Sequence, residues 1–76
     1  MQDPQSGDNI FVGARVTNGE AKYDPFYKRN VWKWTGRVIA LHDGYAWVKQ
    51  TTGGVVGTLL TFEVNALFNV EGIDPC

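Results

Sequence analysis

The sequence predicts a single all-β domain of about five short antiparallel strands. Runs rich in β-branched and aromatic residues recur every 8 to 12 residues or so, and no long 3.6-residue periodicity is present. At 76 residues the chain has room for one small core. Its composition, 43% hydrophobic and 20% charged with nine glycines, is that of a globular chain with many turns.

The predicted strands follow one another from residue 10 onward, and turn signals separate them. They are expected over residues 10–17, 31–42, 45–51, 55–60 and 67–71. Residues 31–42 give the strongest pattern because they combine β-branched and aromatic side chains, and Gly36 within them suggests a bend. All three prolines lie outside these strands, as sheet pairing requires.

The connections between the predicted strands differ in length. Residues 18–30 form a long polar and aromatic loop, Asp43-Gly44 is a preferred type I′ hairpin pair, and residues 52–54 make a second turn. Residues 61–66 are expected to form one helical turn with Thr61 as its N-cap. One long loop, two tight hairpins and a helical turn before the last strand are the order of a five-stranded SH3-like barrel.

We expect this barrel to span residues 9–72, between a flexible N-terminal tail (1–8) and a C-terminal tail (73–76). The single cysteine, Cys76, has no cysteine partner for a disulfide or a metal site. No stretch approaches the roughly 18 apolar residues of a membrane span, and the polar N-terminus does not predict a secretion signal. A cytoplasmic protein with no membrane contact is therefore the expectation.

Alternation along the central hairpin divides its side chains between two faces. Small or β-branched residues are predicted to fill the barrel interior together with Trp34 and Gly36: Val38, Ala40, Ala46 and Val48. The opposite face is predicted to point outward as a contact surface, unless a tail or the long loop covers it. Its members are Thr35, Arg37, Ile39, Leu41, Tyr45, Trp47 and Lys49. A β-bulge in either strand would exchange the two faces.

Aromatic and basic side chains alternate through residues 23–37. All seven basic residues lie between positions 15 and 49, where three acidic residues leave a net charge of 7 − 3 = +4. This mixture is typical of single-stranded nucleic-acid sites and of grooves that bind extended peptides; alternatively, the rings close the core and the cations are solvated. The candidate binding residues are Tyr23, Phe26, Tyr27, Lys28, Arg29, Trp32, Lys33, Arg37 and Trp47.

Catalytic and metal chemistry find little support in the sequence. His42 is the only histidine, and its neighbour Asp43 is expected to point to the opposite face. The glycine-rich residues 52–57 lack the Lys-Ser/Thr pair and the helix of a phosphate-binding loop. We therefore expect no enzymatic activity, no cofactor and no metal.

Three segments resemble the plasmid-borne type II dihydrofolate reductases, which are SH3-like barrels assembled as homotetramers around a pore. The segments are residues 13–16 (GARV), 34–38 (WTGRV) and 57–67 (GTLLTFEVNAL). The resemblance implies the barrel and self-association. The family's pore-lining Gln-Ile-Tyr is replaced by Leu60-Thr61-Phe62, and its basic residue after the first strand aligns with Asn18. The resemblance therefore does not extend to the groups that contact cofactor and substrate.

The sequence favours a small non-enzymatic binding module that contacts a protein partner, or a second copy of itself, through its aromatic and basic surface. Its net charge of −1 favours a protein over a nucleic acid. Binding of single- or double-stranded nucleic acid by the same surface is one alternative, and an oligomeric enzyme of the reductase type is another. Small barrels without enzymatic motifs resemble those of phages and mobile elements, which suggests such an origin.

Overall fold

A computed structural model describes residues 5–73 and 75 of the chain. Its strands are β1 (Arg15–Thr17), β2 (Ala21–Asp24), β3 (Arg29–Trp32), β4 (Thr35–His42), β5 (Tyr45–Thr52), β6 (Leu59–Glu63) and β7 (Phe68–Asn69). A 3-10 turn, Val64–Ala66, links β6 to β7. Within the described residues no helix is long and apolar enough to cross a membrane. The predictions for residues 1–4, 74 and 76 lie outside the described part.

Five strands form one antiparallel sheet in the order β6-β5-β4-β1-β7, and β2 pairs with β3 in a separate two-stranded sheet. The prediction of a mostly β chain is confirmed. The described residues form seven strands where five were expected, because the predicted loop 18–30 holds β2 and the first half of β3. Across the described residues, β6 and β7 stay at opposite edges, so backbone pairing does not close the sheet into a barrel.

Two of the predicted strands have different bounds in the structure for local backbone reasons. The strand expected over 10–17 starts only at Arg15, because a turn closes with Ala14 N–H donating to the Phe11 carbonyl (2.9 Å). The stretch 31–42 is divided between β3 and β4. Its interruption at Lys33 and Trp34 coincides with a bond from Lys33 N–H to the Glu20 carbonyl (2.9 Å).

The strand expected over 55–60 is also wrong in its first half. Residues 55–58 form a loop closed by Thr58, whose N–H and hydroxyl both donate to the Val55 carbonyl (3.2 and 2.7 Å). Gly57 has a φ of 92°, which an extended strand does not accommodate. The helical turn expected over 61–66 is confined to Val64–Ala66, and Thr61 lies in β6 instead of capping it.

The β4–β5 hairpin turns as predicted but contains a bulge. Asp43 and Gly44 have φ values of 50° and 79°, the positive pair that a type I′ turn needs. A register shift follows Val38, so that Ala40 pairs with Trp47. Ala40 is therefore on the outer face, and its predicted interior position is wrong.

The core lies on the inner face of β4 and β5. Its buried apolar members are Ala14, Val16, Val38, Ala46, Val48 and Leu67. Trp34 and Phe62 pack at the margin of this cluster, with nearly parallel rings whose centroids are 5.1 Å apart. Both rings therefore belong partly to the core and partly to the surface.

Candidate functional site: a groove under the β2–β3 hairpin

The tip of the β2–β3 hairpin is folded by its own side chains. The Asp24 carboxylate accepts hydrogen bonds from the backbone N–H groups of Phe26 (2.8 Å) and Tyr27 (3.3 Å). Lys28, with a φ of 56°, completes the reversal into β3. This local network holds the tip without contributions from the core.

The tip presents aromatic rings to solvent. Phe26 is 82% exposed and Tyr27 is 64% exposed, and the two rings meet edge to face with centroids 4.8 Å apart. The Arg29 guanidinium lies 5.7 Å from the centre of the Tyr27 ring, within cation–π distance. Exposed rings held in a fixed arrangement provide contact area at a low entropic cost.

The face of the hairpin that is turned toward the sheet is charged. The cross-strand pairs Lys22–Val31 and Asp24–Arg29 place these four side chains on one side of the hairpin. They line a cavity of about 380 Å³ between the hairpin and the turn at Thr52 and Gly53. The charged groups of this cavity are Arg15, Lys22, Arg29, Lys33 and Asp24, which give a net charge of 4 − 1 = +3.

A second cavity of about 490 Å³ lies beside the first. The stacked rings of Trp34 and Phe62 line it, together with Leu60. Lys22, Lys33 and Gly53 line both cavities, so the two are adjacent halves of one depression under the hairpin. We call this depression the hairpin groove.

Gly53 lies where the two halves of the hairpin groove meet. Its φ of +84° favours glycine, and an added Cβ would collide with the Lys33 carbonyl oxygen and approach Trp34 Cα at 2.5 Å. The turn after β5 therefore packs directly against the backbone that links β3 to β4. This close packing fixes the position of the Lys33 backbone, from which its side chain extends into the groove.

The predicted binding residues are divided among three places. Tyr27, Arg29, Trp32 and Lys33 line the hairpin groove, whereas Tyr23, Phe26 and Lys28 are exposed on the hairpin outside the groove lining. Arg37 and Trp47 lie on β4 and β5 in the main sheet. The structure therefore does not bring all nine residues to one surface.

Two of the predicted residues have structural contacts. The Trp32 indole N–H donates to the Ile73 carbonyl (3.0 Å), which ties the C-terminal segment to the hairpin. Arg37 donates to the Gly13 carbonyl (3.0 Å) and pairs with the Glu71 carboxylate through both of its terminal nitrogens (2.5 and 3.3 Å). This hydrogen-bonded Arg37 guanidinium lowers the pKa of Glu71, although partial desolvation acts against the shift.

The sequence interpretation missed several groove residues, among them Arg15, Lys22, Trp34 and Phe62. Arg15 and Lys22 belong to the basic segment 15–49, so charge clustering contained a signal for them. The sequence predicts Trp34 in the interior, but nothing in the sequence connects it to Phe62, which lies on the edge strand β6. Their stacking depends on how β6 packs against the inner face.

The histidine is not part of this site. The His42 imidazole lies 3.1 Å from the Asp43 carboxylate, so the expectation that these two side chains diverge is wrong. Both side chains are largely exposed at the hairpin turn. In the described part of the chain, no group of three or more His, Cys, Asp or Glu residues converges in a way that would hold a metal ion.

No protein-family model, curated protein or solved structure matches this chain.

Proposed function

We propose that this chain is a non-enzymatic binding module with an SH3-like strand order, and that it binds an extended acidic segment of a partner protein. The segment lies in the hairpin groove. The observation that carries the proposal is the position of Lys22 and Lys33, which line both halves of a depression bordered by aromatic rings. Such a surface offers charge and apolar contact together.

The strand order supports the SH3-like part of the proposal. A first strand is followed by a protruding hairpin, a three-stranded meander, a 3-10 turn and a last strand that returns to the first. β1 pairs with both β4 and β7, which brings the two ends of the domain together. In this order the long hairpin stands beside the meander, where peptide-binding modules of this kind hold their ligands.

The charges of the hairpin groove favour an acidic partner segment. Across both halves, four basic residues face two acidic ones, Glu20 and Asp24, for a net charge of 4 − 2 = +2. Each exposed ion pair adds only about 0.2–1 kcal/mol, so binding also needs apolar contact with rings such as Trp34. We therefore expect acidic residues interspersed with apolar ones in the partner.

Single-stranded nucleic acid is the second candidate, because the stacked rings of Trp34 and Phe62 offer a platform for a base. Each stacked base would contribute about 1–3 kcal/mol. A nucleic acid carries a phosphate at every nucleotide, so the carboxylates of Glu20 and Asp24 in the same lining would repel it, whereas a polypeptide can place an apolar residue beside them. These two acids favour a protein partner over nucleic acid.

The test is a titration of intrinsic tryptophan fluorescence with a peptide of mixed Glu and Leu residues, and separately with oligothymidylate, at several salt concentrations. Lys33→Ala removes a groove cation, and Lys28→Ala removes a neighbouring lysine outside the groove lining as a matched control. We expect Lys33→Ala to weaken peptide binding about threefold to fivefold, the effect of one exposed ion pair. Lys28→Ala should leave the affinity within about twofold.

Three outcomes would count against the proposal. Absence of peptide binding at low salt would remove the module as described. Equal losses in the two variants would show that general charge, and not the groove, attracts the peptide. Tighter binding of oligothymidylate with a steep salt dependence would place nucleic acid first.

A further inference from the structure

β6 forms one edge of the sheet, and its backbone is half unpaired in the described part of the chain. Gln50 N–H donates to the Thr58 carbonyl (2.9 Å) and Val64 N–H donates to the Gly44 carbonyl (2.8 Å). Hydrogen-bonded positions alternate along an antiparallel ladder. The backbone N–H and C=O groups of the even-numbered residues of this strand therefore point toward β5. The N–H and C=O groups of Leu59, Thr61 and Glu63 therefore point away from β5.

In the part of the chain that the structure describes, this edge lacks the bulge, the lysine and the proline that commonly shield an edge strand. The five residues Leu59–Glu63 contain no proline and no lysine, and their register with β5 is continuous from Tyr45–Glu63 to Lys49–Leu59. Natural edge strands are commonly shielded by a bulge, a lysine or a proline. An unshielded edge of five residues is long enough for another strand to add to it.

We infer that β6 pairs antiparallel with β6 of a second copy of this chain, around a two-fold axis at Thr61. Thr61 then faces its own equivalent, and Leu59 faces Glu63 of the second copy in both directions. All three positions direct their N–H and C=O groups to the edge, so each facing pair forms two backbone hydrogen bonds. The contact is self-complementary, as a two-fold interface must be.

The side chains of this register also match. On the inner face, Leu60 lies opposite Phe62 of the second copy, and the symmetric pair repeats the contact. Aliphatic–aromatic cross-strand pairs of this kind are stabilising. On the outer face the two Thr61 side chains meet, and hydroxyl pairs are among the favourable cross-strand partners. A shift by one residue would place inner side chains opposite outer ones.

Charge complementarity points to a second copy as the occupant. Lys49 pairs with Leu59 across β5 and β6, so Lys49, Leu59 and the second copy's Glu63 lie in one row across three strands. Strands are about 4.8 Å apart, which leaves Lys49 and that Glu63 about 10 Å apart at their Cα atoms, within reach of two long side chains. Within the described residues, neither Lys49 nor Glu63 has an ion-pair partner.

The test is sedimentation velocity combined with amide hydrogen exchange over a range of protein concentrations, in reducing buffer so that Cys76 cannot link two chains. We expect a concentration-dependent dimer in which the Thr61 amide exchanges roughly tenfold or more slowly than in the dilute protein. A protein that stays monomeric at every concentration would overturn the inference. So would a dimer whose Thr61 amide still exchanges rapidly, since another surface would then form it.

Two sets of variants make the register itself testable. Thr61→Pro removes an N–H that points to the edge and takes no part in the β5 ladder, so it should abolish the dimer and leave the monomer folded. Glu63→Lys should weaken the dimer, because it brings a second ammonium group close to Lys49 of the other copy. Lys49→Glu combined with Glu63→Lys should restore it. A double variant that dimerises no better than Glu63→Lys would contradict the proposed row of charges.

Discussion

The β4–β5–β6 meander and the β2–β3 hairpin are both antiparallel, but their surroundings are opposite. β4 and β5 each have eight residues and contribute Val38, Ala46 and Val48 to the core. β2 and β3 have four residues each and contribute no fully buried side chain. A two-stranded hairpin is at best marginally stable in water by itself, so β2–β3 depends on its attachments to the rest of the domain.

Specific contacts make those attachments. The Trp32 indole N–H donates to the Ile73 carbonyl, and Gly53 packs on the Lys33 backbone at the end of the hairpin. The meander therefore supplies the stability of the domain, and the hairpin supplies exposed rings and cations. We expect this arrangement of a binding module whose contact residues lie on a connection that a stable sheet holds in place.

Gly53→Ala should have the largest effect, because Gly53 joins the two regions. The added methyl group would meet the Lys33 carbonyl and Trp34 backbone at a φ of +84°. Strain and overpacking together predict a loss of about 3 kcal/mol in the free energy of unfolding, measured by urea denaturation. Gly44→Ala is the control: its φ is +79° but its surroundings are open, so only about 1 kcal/mol should be lost. Equal losses in the two variants would show that the close packing of Gly53 on the Lys33 backbone does not contribute to the loss of stability.

Val48→Ala and Tyr23→Ala compare the two regions directly. Val48 is completely buried on β5, whereas Tyr23 on β2 is 57% exposed. Truncating Val48 should cost about 2 kcal/mol of unfolding free energy, from lost burial and a cavity. Truncating Tyr23 should change it by no more than about 0.5 kcal/mol. A larger loss for Tyr23→Ala would mean that the hairpin contributes to the core.

Thr17→Val should stabilise the protein. The Thr17 hydroxyl is fully buried and has no hydrogen-bond partner among the described residues. Replacing it with a methyl group of similar shape removes a desolvation cost, so the unfolding free energy should rise by about 1 kcal/mol. Thr35→Val is the contrast. It should lower the unfolding free energy, because it removes a hydroxyl that lies within hydrogen-bond distance (2.7 Å) of the Thr52 hydroxyl. A fall in the unfolding free energy of Thr17→Val would contradict this prediction, because it would mean that the Thr17 hydroxyl forms a hydrogen bond in the folded protein.

The Arg37–Glu71 pair should give the smallest effect, visible as a pH dependence. The hydrogen bond from Arg37 lowers the pKa of Glu71 below its ordinary value of 4.5, so the folded state favours the ionised carboxylate. The contribution to stability is therefore complete above that value and is lost as the pH falls through the lowered pKa. The urea midpoint of the wild type should exceed that of Glu71→Gln near neutral pH and converge with it in acid. A difference that persists in acid would contradict the pairing.

The sequence identified the meander better than the hairpin, and the reason is physical. Alternation and the Asp43-Gly44 pair predicted both strands of β4–β5 and their turn, because burial on one face leaves a period of two. The bulge after Val38 has no counterpart in the alternation pattern, so the pattern predicts Ala40 on the wrong face. The β2–β3 hairpin has no buried face, and its polar residues looked like a loop.

The candidate site was only partly predictable for the same reason. Charge clustering pointed to the segment that contains Arg29 and Lys33, which line the groove. The segment's composition did not show that Arg37 is paired with Glu71, which lies near the other end of the chain. Long-range contacts of this kind depend on the packing of distant strands, which local patterns do not encode.

Amide chemical-shift mapping with the mixed Glu and Leu peptide tests directly whether the hairpin groove is the recognition surface. We expect the largest shifts at the amides of Lys22, Lys33 and Gly53, which line both halves of the groove. Shifts confined to the outer face of the meander around Trp47 would contradict it, and would assign recognition to the region that we describe as the scaffold.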